Sequence, residues 1–312
     1  MASESSPPTS VHFDVGAIVG GGYRVVRPMA EGGMGTVYEV EQLATGARRA
    51  LKAMHVQHAL DGKLRARFVR EARVAASIRS DHVAAVVDAG VDETSGVPYL
   101  VMELLEGRTL SSELRRRGHF TWSEAYEILR QTCHGLGAAH AAGVVHRDVK
   151  PANIFLCASR TAGMPFVVKV LDFGIAKVVA EAREGVTSII GTPSWMAPEQ
   201  TEEEAIVGPP ADVWAIGLLA FGLMVGRHYW PSANNRGTPT AAVMRELILG
   251  EIVAPSVRAA SYERAERLPS ELDGWFLKCL DRDPKNRYPD ANAAFEAFAA
   301  AMKTHVEAPP AS

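Results

Sequence analysis

The stretch Val145-His146-Arg147-Asp148-Val149-Lys150-Pro151-Ala152-Asn153 constrains this chain more than any other. Val144 and Val145 lead into it and Ile154-Phe155-Leu156 lead out, so a polar loop sits between two short apolar segments. The Asp148 carboxylate can accept a proton from a hydroxyl. The amide oxygen of Asn153 can ligate a hard cation. Lys150, just past the acid, can hold an anionic group beside it. A base, a metal ligand and a cation on one short loop suit phosphoryl transfer. A polar turn between two strands is the plain structural alternative.

The loop resembles the catalytic loop of the eukaryotic-type protein kinases, H-R-D-L-x-x-x-N, with Val149 in place of leucine. Other motifs of that family follow in its order. Ala30-Glu31-Gly32-Gly33-Met34-Gly35-Thr36-Val37 is similar to the glycine-rich loop G-x-G-x-x-G-x-V, with Ala30 for the first glycine. Glycines there let backbone N–H groups approach phosphates. Arg49-Ala50-Leu51-Lys52 stands where the family carries V-A-I-K, with Arg49 for valine. A solvated edge lysine is the commoner fate of a strand lysine; the resemblance instead pairs Lys52 with Glu71 on the following helix. Asp172-Phe173-Gly174 matches D-F-G, and the Ala197-Pro198-Glu199 motif closes what resembles an activation segment. Asp212 matches the residue that holds the catalytic-loop backbone, and Arg287 the arginine that pairs with Glu199.

Composition agrees with a globular chain long enough for two cores: 312 residues, 47% hydrophobic and 22% charged. A net charge of -3 implies no general affinity for nucleic acid. Cys133, Cys157 and Cys279 are scattered, which argues against a disulfide framework or zinc site and fits a reducing cytoplasm. Met1–Ser10 lacks the basic start and apolar core of a signal peptide. The uncharged, strongly apolar run Val213 to Gly226 is shorter than the roughly 20 residues a membrane span needs, and reads as a buried central helix.

Residues 1–22 read as a flexible leader, 23–303 as the kinase domain and 304–312 as a frayed tail. Within the domain, about 23–103 form the N-lobe and about 106–303 the C-lobe. Tyr23–Met29, the stretch from Val37, Arg49–Met54, Val83–Val91 and Pro98–Glu103 read as N-lobe strands, and Lys63–Ile78 as its helix with Leu64, Phe68, Ala72 and Ala75 on one face. In the C-lobe, Thr121 and Glu124 mark a helix start. That helix buries Ile128, Leu129, Cys133, Leu136 and Ala139, ends at Gly143, and carries His134 and His140 as ordinary residues. Val167–Leu171 is a strand, Ala158–Pro165 an extended hairpin tip, and Ala291–Lys303 the last helix. Gly226–Thr240 is rich in glycine, proline and asparagine and has no assigned role.

The fold class expected is α+β: a small antiparallel N-lobe sheet with one main helix and a larger, mostly helical C-lobe. The resemblance looks most like the bacterial serine/threonine kinases. It implies transfer of the γ-phosphoryl group of ATP to protein serine or threonine hydroxyls, with Mg²⁺ or Mn²⁺. Asp148 would act as base, Lys150 would stabilise the transferring group, and Asn153 and Asp172 would hold metal. Lys52, placed by Glu71, would hold the phosphates. Ala30, Gly32, Gly33, Gly35, Val37, Ala50, Met102, Glu103, Leu105 and Phe155 would line the nucleotide site. Thr187 and Ser188 are candidate autophosphorylation sites, read by Arg147, and self-association would serve that reaction. The resemblance brings no nucleic-acid partner and no membrane segment. A pseudokinase acting as a nucleotide-binding interaction module is the alternative, and a small-molecule kinase a further rival. Intact Lys52, Asp148, Asn153 and Asp172 weigh against the first, and the segment from Asp172 to Glu199 against the second.

Overall fold

A computed structural model describes residues 12–32, 35–54, 62–159, 166–173, 193–202, 205–235 and 237–306, with the backbone alone at 62–65, 67, 71 and 304–306. These residues group into two units. One takes the chain up to residue 77 together with 84–106. The other takes 78–83, 107–173 and the chain from 189 onward.

The first unit is a six-stranded antiparallel sheet in the order β1-β2-β3-β4-β6-β5. Its strands are β1 (Ile18–Val19), β2 (Tyr23–Gly32), β3 (Gly35–Gln42), β4 (Arg48–Met54), β5 (Val86–Val91) and β6 (Pro98–Glu103), and helix α1 (Gly62–Ala76) follows β4. Successive side chains on a strand face opposite ways, and here both faces are covered. Leu51, Ala53, Tyr99 and Val101 join Tyr23, Val25, Tyr38 and Val40 on one face. Ala50, Met54, Leu100 and Met102 pack with Phe68 and Ala72 of α1 on the other. That two-sided burial is why β6 reads as an unbroken apolar run rather than an alternation. Pro28 sits at a register shift in β2, where a missing N–H is tolerated.

The expected leader to residue 22 is too long. Residues 12–22 belong to the sheet unit: β1 pairs with β2, Phe13 packs against the core, and the Phe13 N–H donates to Tyr38 Oη at 3.1 Å. The Gly20 N–H donates to Asp92 Oδ1 at 2.9 Å, which ties this segment to the β5–β6 turn. The apolar residues Phe13, Ala17 and Val19 drive the docking. Leu64, expected on the buried face of α1, has its side chain outside the described residues.

The second unit opens with β7 (Gly107–Thr109), α2 (Leu110–Arg117) and α3 (Trp122–Ala141). A reciprocal cap starts α3: Thr121 Oγ1 accepts the Glu124 N–H, and Glu124 accepts the Thr121 N–H. Strands β8 (Ile154–Ala158) and β9 (Phe166–Val170) complete a three-stranded antiparallel sheet with β7. Of the expected hairpin tip, residues 160–165 lie outside the described residues. Helix Pro210–Val225 runs through the core with every residue from Ala211 to Val225 buried. Helices Thr240–Leu249, Pro255–Ala260, Asp273–Cys279 and Ala291–Val306 surround it; the last runs past the expected end at Lys303. Burial pushes the Cys133 and Cys279 thiols up, as expected of packing residues.

The stretch after Gly226 is built around buried Tyr229 and Trp230, the latter stacked on Trp214 with centroids 6.1 Å apart. Asn234 Nδ2 donates to the carbonyl of His228 at 2.9 Å and fixes the turn. Two aromatics within a polar, glycine-rich composition were the available signal. Among the described residues no helix is long and apolar enough to cross a membrane.

Gly107 has φ 153°, and a Cβ there would overlap the Leu156 carbonyl oxygen across the β7–β8 pair. Gly107→Ala is expected to destabilise the protein by more than about 1 kcal/mol. Calorimetry should show the melting temperature falling by roughly 1.5 °C or more.

Candidate active site

The loop between α3 and β8 is held from below by one carboxylate. Asp212, 1% exposed near the start of the central helix, accepts the His146 N–H on Oδ2 and the Arg147 N–H on Oδ1, each at 2.8 Å. His140 Nε2 donates to the same Oδ2 at 2.8 Å, while its Nδ1 accepts the Ala291 N–H at 3.3 Å. The sequence reading took His140 as an ordinary helix residue. A signal was present, since His140 continues the buried stripe of Leu129, Cys133 and Leu136, where a polar side chain needs a buried partner.

Arg147 has φ 66° and Asp172 φ 61°, in the left-handed region that side chains rarely adopt. The surroundings over-determine the first: Asp212 takes the Arg147 N–H, Gln200 Nε2 donates to its carbonyl at 2.7 Å, and its Nη2 donates to the Val207 carbonyl at 3.2 Å. His146 is fully buried. Its Nδ1 accepts the Asp148 N–H at 3.2 Å and its Nε2 donates to the Leu171 carbonyl at 2.7 Å, so the Nε2–H tautomer satisfies both. Its ring also packs on Phe173, with centroids 4.7 Å apart. Leu171 donates its N–H to the Asn153 carbonyl at 2.8 Å. The residue before Asp172 is therefore bonded to both ends of the polar loop.

This frame brings Asp148, Lys150 and Asn153 together. Asn153 Nδ2 donates to Asp148 Oδ2 at 2.9 Å and to its carbonyl at 2.8 Å. Lys150 Nζ lies 2.8 Å from the same Oδ2. Among the described residues, Asp148 Oδ1 takes no hydrogen bond. Asn153 gives its amide N–H groups to Asp148, which leaves its Oδ1 for another partner.

Glu199 and Arg287 form a two-pronged buried pair, Nη1 to Oε1 and Nη2 to Oε2, each 2.8 Å. Arg287 also donates to the carbonyls of Asp281 and Pro210, and its guanidinium lies over Trp214. Next to Glu199, Gln200 accepts the Ala197 N–H and donates to Arg147, joining this platform to the polar loop.

In the first unit, β3 and β4 bring Val37 opposite Lys52, and β2 brings Ala30 opposite Val37. Lys52 is 7% exposed on an interior strand, on the same face as Ala50 and Met54, so it is not a solvated edge lysine. Val37, Ala50 and Met102 belong to one apolar cluster. Gly35 is glycine for packing, because a Cβ would overlap the Ala53 carbonyl oxygen; a Cβ on Gly32 would meet nothing closer than 3.9 Å. Gly32 is thus the glycine whose freedom the sheet does not require. Glu103 closes β6, with its N–H on the Ala85 carbonyl and its carboxylate accepting the Ala85 N–H. Leu105 follows β6 and is half-buried. In the second unit, Phe155 lies on β8 opposite Thr109 and Lys169. Gly33, the Glu71 side chain, Gly174, Thr187 and Ser188 lie outside the described residues.

The donor set near Asp172 is an amide oxygen and a carboxylate. Mg²⁺ takes one or two protein oxygens and completes its shell with waters and substrate phosphates. The two oxygen donors fit that ion, and no cluster of three or more ligating side chains is found among the described residues.

A model of the protein kinase domain matches residues 23–299. Serine/threonine-protein kinase Pkn1 of Myxococcus xanthus is 36% identical over 92% of this chain and 39% of its own length. Serine/threonine-protein kinase PknB of Mycobacterium tuberculosis is 32% identical over 92% of this chain and 44% of its own. The crystal structure of the Mycobacterium tuberculosis PknI kinase domain matches with a TM-score of 0.70 and 25% identity, covering 93% of this chain and 100% of that one. The chain spans less than half the length of the two curated relatives.

Removing one member of the Glu199–Arg287 pair leaves a buried charge without its partner. Arg287→Met is expected to cost about 3–5 kcal/mol, and Glu199→Met/Arg287→Met together markedly less than Arg287→Met alone. Urea unfolding of the single and double variants measures the difference.

Proposed function

This chain belongs to the protein kinase family, and from that premise we propose that it transfers the γ-phosphoryl group of ATP to serine and threonine hydroxyls of proteins. The observation that carries the reading is the Asp148 carboxylate, with Lys150 and Asn153 on one oxygen and the other open. The open Oδ1 receives the acceptor proton as the hydroxyl attacks. Asn153 fixes the carboxylate's rotamer, and Lys150 places positive charge beside the transferring group. Asn153 Oδ1 and Asp172 would hold Mg²⁺ or Mn²⁺, which when bound neutralises phosphate charge. Lys52, positioned by Glu71, would hold the α- and β-phosphates under Gly32, Gly33 and Gly35. Val37, Ala50, Met102, Glu103, Leu105 and Phe155 would enclose the base. Supply of ATP and the scattered cysteines favour a cytoplasmic location for this unit.

The regulatory part of the reading rests on Arg147. Arg147 directly precedes Asp148, is half-buried and donates its Nη2 to the Val207 carbonyl, and a phosphate on Thr187 or Ser188 would add charge-assisted bonds to it. Self-association would present one copy's segment to another.

Asp148→Asn is expected to lower kcat by about 10²-fold or more while nucleotide affinity holds, because an amide cannot take the proton. Transfer of labelled phosphate, measured beside binding of a fluorescent nucleotide, tests this. Wild-type turnover in the variant would remove Asp148 from its role. Thr187→Ala/Ser188→Ala is expected to reduce activity, and phosphopeptide mapping of wild-type protein incubated with ATP should find phosphate at one or both positions. An unmodified segment in an active enzyme excludes the switch.

A further inference from the structure

A groove of about 460 Å³ opens in the second unit beside the catalytic loop. Its lining includes Ser111 and Arg115 of α2, Lys150, Trp195, and Arg227 and His228 after the central helix. Lys150 reaches Asp148 at 2.8 Å, so the groove ends at the acid proposed to accept the hydroxyl proton. Among the described residues, no aspartate or glutamate lines it.

The two arginines have an unusual status among their neighbours. Arg116 and Arg117 of the same helix are spent on Glu113 and Glu124. Arg115 is exposed, and among the described residues its Nη1 donates to the neutral Ser111 Oγ at 2.7 Å and it makes no ion pair. Arg227 is exposed and makes no ion pair among the described residues. An acid, Glu263, lines an adjoining cavity that shares Arg227. Burial holds the His228 imidazole below its usual range, so at neutral pH the groove's charge comes from Arg115, Arg227 and Lys150.

We propose that Arg115 and Arg227 select acceptor segments carrying aspartate or glutamate side chains close to the phosphorylated serine or threonine. The proposal rests on the kinase reading and adds the substrate class to it. A guanidinium with no internal carboxylate presents its fork of donors to an incoming one, the geometry in which arginine binds carboxylates best. Trp195 and the aliphatic stem of Leu114 give the bound chain an apolar wall. A basic segment would meet the guanidinium groups of Arg115 and Arg227, with Lys150 already paired to Asp148, so the groove disfavours it as well as attracting the acidic one.

The test uses the 312-residue chain with ATP, Mg²⁺ and peptides sharing one serine, flanked by acidic, neutral or basic residues. Specificity is read as the ratio of kcat/KM between peptides. Wild type should favour the acidic peptide over the neutral one by about tenfold or more, the effect of one such contact, and the margin should shrink at high salt. Arg115→Ala and Arg227→Ala should each reduce that ratio, mainly through KM. Arg115→Glu/Arg227→Glu should shift preference to the basic peptide. Both side chains are exposed, so the variants should keep the wild-type melting temperature. An active wild type with no acidic preference, or a charge-reversed variant that keeps that preference, overturns the proposal. A wild type that labels neither peptide nor itself overturns the kinase reading beneath it.

Discussion

The second unit depends on one buried carboxylate. Asp212 collects three N–H donors, two from the backbone of the polar loop and one from His140. Hydrogen bonds to a charged group contribute about 1.5–3 kcal/mol each, against roughly 1 for neutral pairs. A left-handed non-glycine residue costs about 1–2 kcal/mol. The bonds to Asp212 therefore outweigh the strain at Arg147, which turns the chain immediately before Asp148. His140 carries the same tether to the Ala291 N–H, at the head of the terminal helix.

Glycine and lysine positions in the sheet unit separate packing from chemistry. Gly35 is demanded by the approach of β3 to β4, whereas Gly32 has room for a side chain. The family pattern asks for glycine at both, and only structure shows that the reasons differ. Lys52 is an ammonium on a strand face otherwise filled by Ala50, Met54 and Met102. Burying such a group is costly without a partner, which makes the lysine's position a demand on its surroundings rather than a by-product of strand alternation.

Much of this was legible before any coordinates. The β6 run, the Thr121–Glu124 cap and the uncharged run of the central helix after Asp212 are local signals, written in consecutive residues. The polar loop was legible because its chemistry is concentrated between Val145 and Asn153. What sequence reasoning missed was long-range. Phe13 and Gly20 are tied to Tyr38 and Asp92, partners far along the chain, so a serine- and proline-rich start read as a leader. His140 lacked a visible role because its partners come from the central and terminal helices. Gln200, just past the Ala197-Pro198-Glu199 motif, had no assigned role, yet it bridges the Glu199 platform to Arg147.

The two anchored regions of the second unit are one network. Arg287 holds Glu199 while its Nη1 also donates to the Pro210 carbonyl, at the start of the helix that bears Asp212. Gln200, adjacent to Glu199, holds the Arg147 carbonyl, and Asp212 holds the Arg147 N–H. The peptide units on both sides of one strained residue are thus clamped by groups that themselves meet at the head of the central helix. Packed, fully satisfied polar networks move as units rather than bending by degrees. Asp148, one residue on, inherits that rigidity: its rotamer is set by Asn153 and its backbone by His146. In the role proposed for Asp148, a carboxylate so held would need little reorganisation when a proton arrives.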